Sequence, residues 1–389
     1  MNHPASIDAV SAYALPRASL ATRLAFFIAG FGLACWAPLV PYAKVRLDAG
    51  HAELGTVLLC LGLGSIVGMP LAGSMVSRLG SRAVILAGGI GLMLALPLLA
   101  LTAHMWTLGA ALCLFGLSLG AIDVAANVHG TEVQQRVGRP MMSGFHGLYS
   151  FGGLVGVSGM TLVLASGFGV LESALVAVGV VLVCLVLALP RFLGHVAAPS
   201  AAFFVRPQGI VILLGLLAMA TFLVEGAVLD WGAVLLTEIK GMALSSAGAG
   251  YAAFALAMTL ARLVGDRFVA RLGIRRALVI GALVTAAGMG MAAWGHSLAL
   301  VIAGFAIAGV GAANIVPILF TLAGRQKVMP TSHAMAATSA LGYLGVFVGP
   351  ALVGYVAAWT GLVLAFGVLV LLMGVVALVA GLKVAPPPG

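Results

Sequence analysis

The stretch Ser77-Arg-Leu-Gly-Ser-Arg-Ala-Val-Ile-Leu86 returns, little altered, as Ala270-Arg-Leu-Gly-Ile-Arg-Arg-Ala-Leu-Val279. The offset of 193 is close to half of the 389 residues. At the same offset SFGGLVG (150–156) aligns with YLGVFVG (343–349), and LGAIDV (119–124) resembles VGAANI (310–315) at an offset of 191. A chain that repeats itself at half its length expects two structurally similar halves, and the surroundings of the repeat say what they are made of.

Those surroundings are apolar. Hydrophobic residues make up 62% of the chain and charged residues only 7%, against about 25% charged in an ordinary soluble domain. The mean hydropathy is +1.20. A core of this size has no room for so much apolar surface, so lipid must be part of the solvent. Spans of about 20 apolar residues are read at 21–43, 53–76, 83–103, 107–129, 141–165, 170–190, 209–236, 244–264, 277–295, 298–323, 334–357 and 361–382. Backbone polarity in hydrocarbon makes each of them a helix. The expected fold is therefore all-α and polytopic, with a six-helix bundle over 1–189, a cytoplasmic linker at 190–208 and a second bundle over 209–389. The 53 glycines are expected mainly to let helices approach closely, with Gly116 and Gly120 as one such small-xxx-small pair.

Charge gives the orientation. All but Lys44, Arg46 and Lys240 of the 19 Lys and Arg fall at one side of the alternating spans, which the positive-inside bias assigns to the cytoplasm. Both termini are then cytoplasmic, and the expected address is a bacterial cytoplasmic (inner) membrane. The net charge of +9 is spread over short loops, so no nucleic-acid partner is expected. The mixed polarity of residues 1–20 argues against a cleavable signal. Cys35, Cys60, Cys113 and Cys184 sit in apolar runs without metal spacing, so neither a disulfide framework nor a metal is expected.

Of ten acids, seven lie at termini, loops or helix ends. Asp123, Glu225 and Asp230 do not. Each costs about 2.5–3.5 kcal/mol at the centre of a span, and an interior ionisable residue is by default a functional hypothesis. Glu225 and Asp230, in EGAVLDW (225–231), lie five residues apart, or about 140° around a helix. Unless Gly226 or Gly232 breaks the helix, they point to different sides. Asp230, beside Trp231 and further out, is expected at a wet outer vestibule. Asp123 and Asn127 share a helix face at i and i+4, and Asn314 stands at the repeat position of Asp123. His146 is either a hydrogen-bonded helix-end histidine or a relay group. Trp36, Tyr149 and Tyr343, with Trp231, are aromatic candidates for a solute site. Arg262 is expected to snorkel to the cytoplasmic surface or, if it faces the interior, to partner an acid.

Twelve spans in a 6+6 duplication, with a basic turn after the second and eighth, resemble the major facilitator superfamily over the whole chain. The loop pattern of that family, G-x-x-x-D-[RK]-x-G-R-[RK], reads here as Gly73, Ser77, Arg78, Gly80, Ser81 and Arg82. Ser77 replaces the acid, which puts any relay through it in doubt. The second copy has Ala270 there, with Arg271 and Gly273 following and Asp266 and Arg267 one turn earlier. Three patches, GFGLACWAP, AIDVAANVHG followed by GRPMMSGFHGLYSFGG, and VEGAVLDW, are similar to the YbjJ-like inner-membrane group.

The resemblance implies a secondary transporter working by alternating access, with its site between the halves. Partners are then a small-molecule substrate, protons and the bilayer. No cofactor or catalytic residue is expected, and the chain is read as a monomer. A proton is the expected coupling ion, because the proton affinity of a carboxylate changes with its hydration. Glu225, Asp123 and Asp230 are the coupling candidates, and Trp36, Asn127, His146, Tyr149, Trp231, Asn314 and Tyr343 the substrate candidates. The Gly-Pro motif of drug antiporters is missing from GLYSFGGLVGVSG (147–159), which favours symport of a small polar solute such as a sugar. Export of a cationic or amphipathic compound in exchange for protons stays open. A non-transporting sensor or an intramembrane enzyme lacks any supporting constellation, and without G-x-x-x-x-G-K-[ST] the chain has no ATP-binding loop.

Overall fold

The computed structural model describes residues 5–138, 141–194 and 206–384. Secondary structure there is helical, and twelve helices are long and apolar enough to cross a membrane. The first half comprises α1 (Ala5–Trp36), α2 (Val40–Arg46), α3 (His51–Leu79), α4 (Ser81–Leu101), α5 (Met105–Val137), α6 (Met142–Ala165) and α7 (Val170–Ala188). The second comprises α8 (Ile210–Val234), α9 (Ala249–Leu272), α10 (Ile274–Trp294), α11 (Leu298–Ala312), α12 (Ile315–Arg325), α13 (Thr331–Thr360) and α14 (Leu362–Lys383). The linker read at 190–208 lies mostly outside the described residues.

Helices run past the apolar stretches that announced them. α5 continues to Val137, beyond the span read at 107–129, because a helix can go on in water where polar residues support one another. Glu132 and Arg136 pair there at i, i+4. Two crossings are interrupted. The first bends at a 3-10 turn, Ala37–Leu39, with Pro38 inside it and Pro41 opening α2. The tenth, expected to be continuous, breaks at Ala313–Asn314 between α11 and α12.

The repeated stretch folds the same way twice. Gly80 and Gly273 start α4 and α10 with φ of 81° and 78°, in the left-handed region that a side chain disfavours. Each amide donates to the carbonyl four residues back, Val76 and Val269, at 2.9 Å.

Packing divides the chain into two compact units. One is Met1–Trp36 with Cys60–Ala201; the other is Ala37–Leu59 with Ala202–Gly389. In the first, Gly116 of α5 lies against α3 so closely that a Cβ would stand 1.9 Å from the Leu61 carbonyl oxygen. Gly120 follows against Ser65, so the pair seats one helix on another. In the second unit Gly345 of α13 is as tight on the Met219 carbonyl of α8, at 2.0 Å. The second unit also takes in α2 and the first residues of α3, which hydropathy had assigned to the first bundle.

Candidate functional site

In the second unit α8 carries the two acids. It is unbroken from Ile210 to Val234, so Gly226 and Gly232 do not bend it. They lie against Val346 and Phe305 instead. Oε1 of Glu225 is buried and has no hydrogen-bond partner among the described residues.

The neighbouring helix brings the charges together. Tyr251 and Arg262 of α9 are eleven residues apart, three turns and within about 20° of one another around the axis. They therefore share a face. Arg262 acts electrostatically on Glu225, and Tyr251 is within electrostatic reach of Glu225, Asp230 and Arg262 together. Two side chains about 140° apart on one helix still converge on a ring lying in the sector between them, without a break in the helix.

Arg262 does not reach for the cytoplasm. Its Nε donates to the Ala313 carbonyl at 3.1 Å, and the sequence explains why that carbonyl is available. The helical donor to Ala313 would be the amide of residue 317, which is a proline. Proline has no N–H, and its ring crowds the carbonyl four residues before it. Pro317 thus opens the tenth crossing, and Arg262 satisfies the group it frees. One turn further along α9, Gly265 makes room for Asn314: a Cβ there would fall 1.9 Å from Asn314 Oδ1.

Asp230 and Trp231 are not at a wet boundary. Asp230 is 5% exposed and Trp231 fully buried. The indole Nε1 donates to the Pro350 carbonyl of α13 at 3.0 Å, so this polar handle is occupied inside the bundle. Hydropathy alone placed the pair further out because it cannot register the cover that α13 provides.

In the first unit Asp123 and Asn127 do share a face. Asn127 Nδ2 donates to the Asp123 carbonyl at 2.9 Å and to its Oδ1 at 3.2 Å. Trp36 is fully buried, with Nε1 lacking a hydrogen-bond partner among the described residues. His146 is exposed, its ring edge-on to Phe26 at 4.9 Å. Tyr149 is half-buried, and its carbonyl lies against Gly30. Tyr343, in the second unit, stacks between Phe222 at 5.7 Å and Phe347 at 6.1 Å. Arg78, Arg82, Arg267 and Arg271 are exposed around the repeated turn, and Gly73 has open space beside it. The side chain of Asp266 lies outside the described residues.

Sequence reading missed three groups. His129 is 1% exposed. Its Nε2 accepts from the Leu193 amide at 3.0 Å, so the proton is on Nδ1, which donates to Thr22 Oγ1 at 2.8 Å. The Thr22 hydroxyl in turn donates to the Ala18 carbonyl at 3.0 Å. Tyr251 and Glu238 were the others. The acids near Tyr251 and the basic partners of Glu238 lie on other helices, and no local pattern points to them. Among the described residues no cluster of three or more His, Cys, Asp or Glu is arranged to hold a metal.

Residues 210–389 match the family model described as Major Facilitator Superfamily. An uncharacterised MFS-type transporter of Yersinia pestis is 47% identical over 339 residues, covering 87% of this chain and 88% of that protein. The chain belongs to the major facilitator superfamily. It is a transporter and not an enzyme. The membrane protein MosC of Rhizobium meliloti, a further relative, is 31% identical over 341 residues, covering 87% of this chain and 83% of its own. In fold the chain is similar to the crystal structure of the nucleoside transporter NupG, with a TM-score of 0.74 at 14% identity, covering 93% of this chain and 98% of that one. The human organic anion transporter MFSD10 follows at 0.65 and 14%, covering 94% and 99%. A superfamily member has a small-molecule substrate and works in the membrane.

Proposed function

We propose that this superfamily member is a secondary active transporter that carries a small polar solute across the bacterial inner membrane together with a proton, and that Glu225 is the proton site. One observation carries the reading: Glu225 Oε1 is buried without a hydrogen-bond partner among the described residues, while Arg262 and Tyr251 are within electrostatic reach. A carboxylate so placed is costly when charged and alone, and tolerable when it is protonated or faces Arg262. Exchange between conformations that hydrate it differently then moves a proton with the cycle.

Asp123, with Asn127, is the second acid in this reading, and Asp230 the third. The amides of Asn127 and Asn314, with the hydroxyls of Tyr149 and Tyr343, supply donors and acceptors suited to a sugar-like or related metabolite. The likeness in fold to carriers of a nucleoside and of organic anions is compatible with a polar solute and names none. Membership of the YbjJ-like group, the two-bundle division at 190–208 and a monomeric state belong to the same proposal.

A second reading keeps the fold and reverses the direction. The Glu225, Asp230 and Arg262 cluster holds two carboxylates and one guanidinium, a balance that suits a cationic compound exported in exchange for protons.

Proteoliposomes loaded with a pH dye separate the readings. A panel of sugars and nucleosides is screened first by thermal shift of the purified protein. Symport predicts that an added solute acidifies the lumen; alkalinisation on adding an amphipathic cation selects export. With Glu225→Gln, uphill accumulation is lost while solute-for-solute exchange survives. Full pH-driven accumulation in that variant rejects Glu225 as the proton site.

A further inference from the structure

Glu238 lies at the end of an apolar span, the ordinary place for a helix-end acid, and its surroundings say otherwise. Past Val234 the α8 helix widens into a π turn, Leu235–Ile239. Lys240 anchors the far side of that turn, its Nζ donating to the carbonyls of Ala293 and Gly295, both at 2.9 Å. Glu238 is held between these points and collects two basic groups from far earlier in the chain. It pairs with Lys44 of α2 and accepts from Nε2 of His51, the first residue of α3, at 2.8 Å. Glu53, the nearest other acid along α3, is engaged with the Gly50 amide at 2.9 Å.

The contact is part of a fitted seat. The His51 ring lies 6.0 Å from that of Trp231. Thr56 and Tyr355 share a hydrogen bond of 2.9 Å. A Cβ on Gly354 of α13 would stand 2.6 Å from the His51 carbonyl oxygen and 2.9 Å from Gly55 Cα. Residues 37–59 pack in the second unit, whereas the chain on either side, to Trp36 and from Cys60, packs in the first. The segment is therefore a strap, entered through the 3-10 turn at Ala37–Leu39, on the side that the charge distribution assigns to the exterior.

We propose that Glu238 is a positioning residue of the transport cycle: its single carboxylate seats this strap by holding Lys44 and His51 at once. The side chains of the trio are between 15% and 30% exposed, so the pair is partly covered and still reached by water, and ion pairs that water reaches are weak and reversible. A contact that must be made and broken in each cycle needs that property, and a dry, permanent one lacks it. The strap then lifts from α8 and α13 when the carboxylate lets go, baring the first turn of α3.

Leu54, in that first turn, is fully buried and reports the lift. The full chain with its four cysteines replaced by serine and carrying Leu54→Cys is reconstituted in liposomes and treated with a membrane-impermeant maleimide. Labelling is slow in this background. Glu238→Gln speeds it roughly two- to fivefold, the factor that a partly exposed ion pair represents. The swap of Lys44→Glu with Glu238→Lys returns it toward the background rate. Raised salt accelerates labelling in the background and not in Glu238→Gln. A merely structural Glu238 lowers the melting temperature and leaves the labelling rate and its salt dependence alone. Labelling of Glu238→Gln at the background rate overturns the proposal, as does a swap that folds and still labels fast. Should Glu238→Gln fail to fold, the salt series and Lys44→Gln decide by the same criteria.

Discussion

Trp231 shows how a side chain's surroundings change its meaning. In sequence it sits beside an acid near the end of an apolar run, where an indole belongs at the membrane surface. In the fold it is buried, with Nε1 on the Pro350 carbonyl at 3.0 Å. Trp231→Phe removes that bond, whose acceptor lies within the continuous helix α13, and the loss of one buried hydrogen bond costs about 1 kcal/mol. It is expected to lower the unfolding temperature in detergent while transport survives. Arg262 is the harsher case. Arg262→Ala strips Glu225 of its cation and the Ala313 carbonyl of its donor. Breaking such a buried arrangement costs about 3–5 kcal/mol. Adding Glu225→Gln recovers part of the loss, because one uncompensated charge disappears. Additive melting shifts for the pair would show that the two do not interact. The acids themselves were legible, since charge inside a span stands out. Their partners were not, because Arg262 reads equally well as a residue snorkelling to the surface.

At the level of the elements, helix existence follows from length and hydropathy, and helix contact follows from where side chains are missing. Gly116→Val places atoms where the Leu61 carbonyl oxygen already lies 1.9 Å from an ideal Cβ. α3 and α5 must separate, and the yield of folded protein is expected to collapse. Gly73→Ala meets open space and is expected to gain up to about 1 kcal/mol of helix stability, seen as a raised melting temperature. The sequence singles out Gly116 as half of a packing pair and Gly73 as part of a loop pattern, without saying how tightly either is packed. Only the neighbour on the facing helix separates them. The break at Ala313–Asn314 was also concealed, although Pro317 was in view. Proline kinks a helix without saying whether the next residues resume it, and hydropathy runs straight through the interruption.

For the whole molecule the charge distribution makes a prediction independent of any substrate. A fluorescent reporter fused to the C-terminus lights up in the cytoplasm, whereas an alkaline phosphatase fused there stays inactive. The opposite result would invert the topology, and with it the placing of the strap outside. Two of the three basic residues that break the charge rule now have local explanations. Lys44 is paired with Glu238, and Lys240 binds the carbonyls ending α10.

What the sequence by itself determined is whatever lipid and chain length dictate locally: twelve helical crossings, the duplication and the three interior acids. In apolar runs of about 20 residues, a backbone that must satisfy itself in hydrocarbon forms a helix, and a repeat is visible without any fold. What the tertiary structure decided is which polar groups meet: Arg262 with the Ala313 carbonyl, Tyr251 beside both acids of α8, His129 with Thr22 and Leu193, and Glu238 with Lys44 and His51. Those meetings depend on how each helix is rotated about its axis and on which neighbour it packs against. Small residues on facing helices set both, across separations that reach 187 residues from His51 to Glu238 and are longer still from Lys44, and hydropathy read along one strand of sequence carries no record of them.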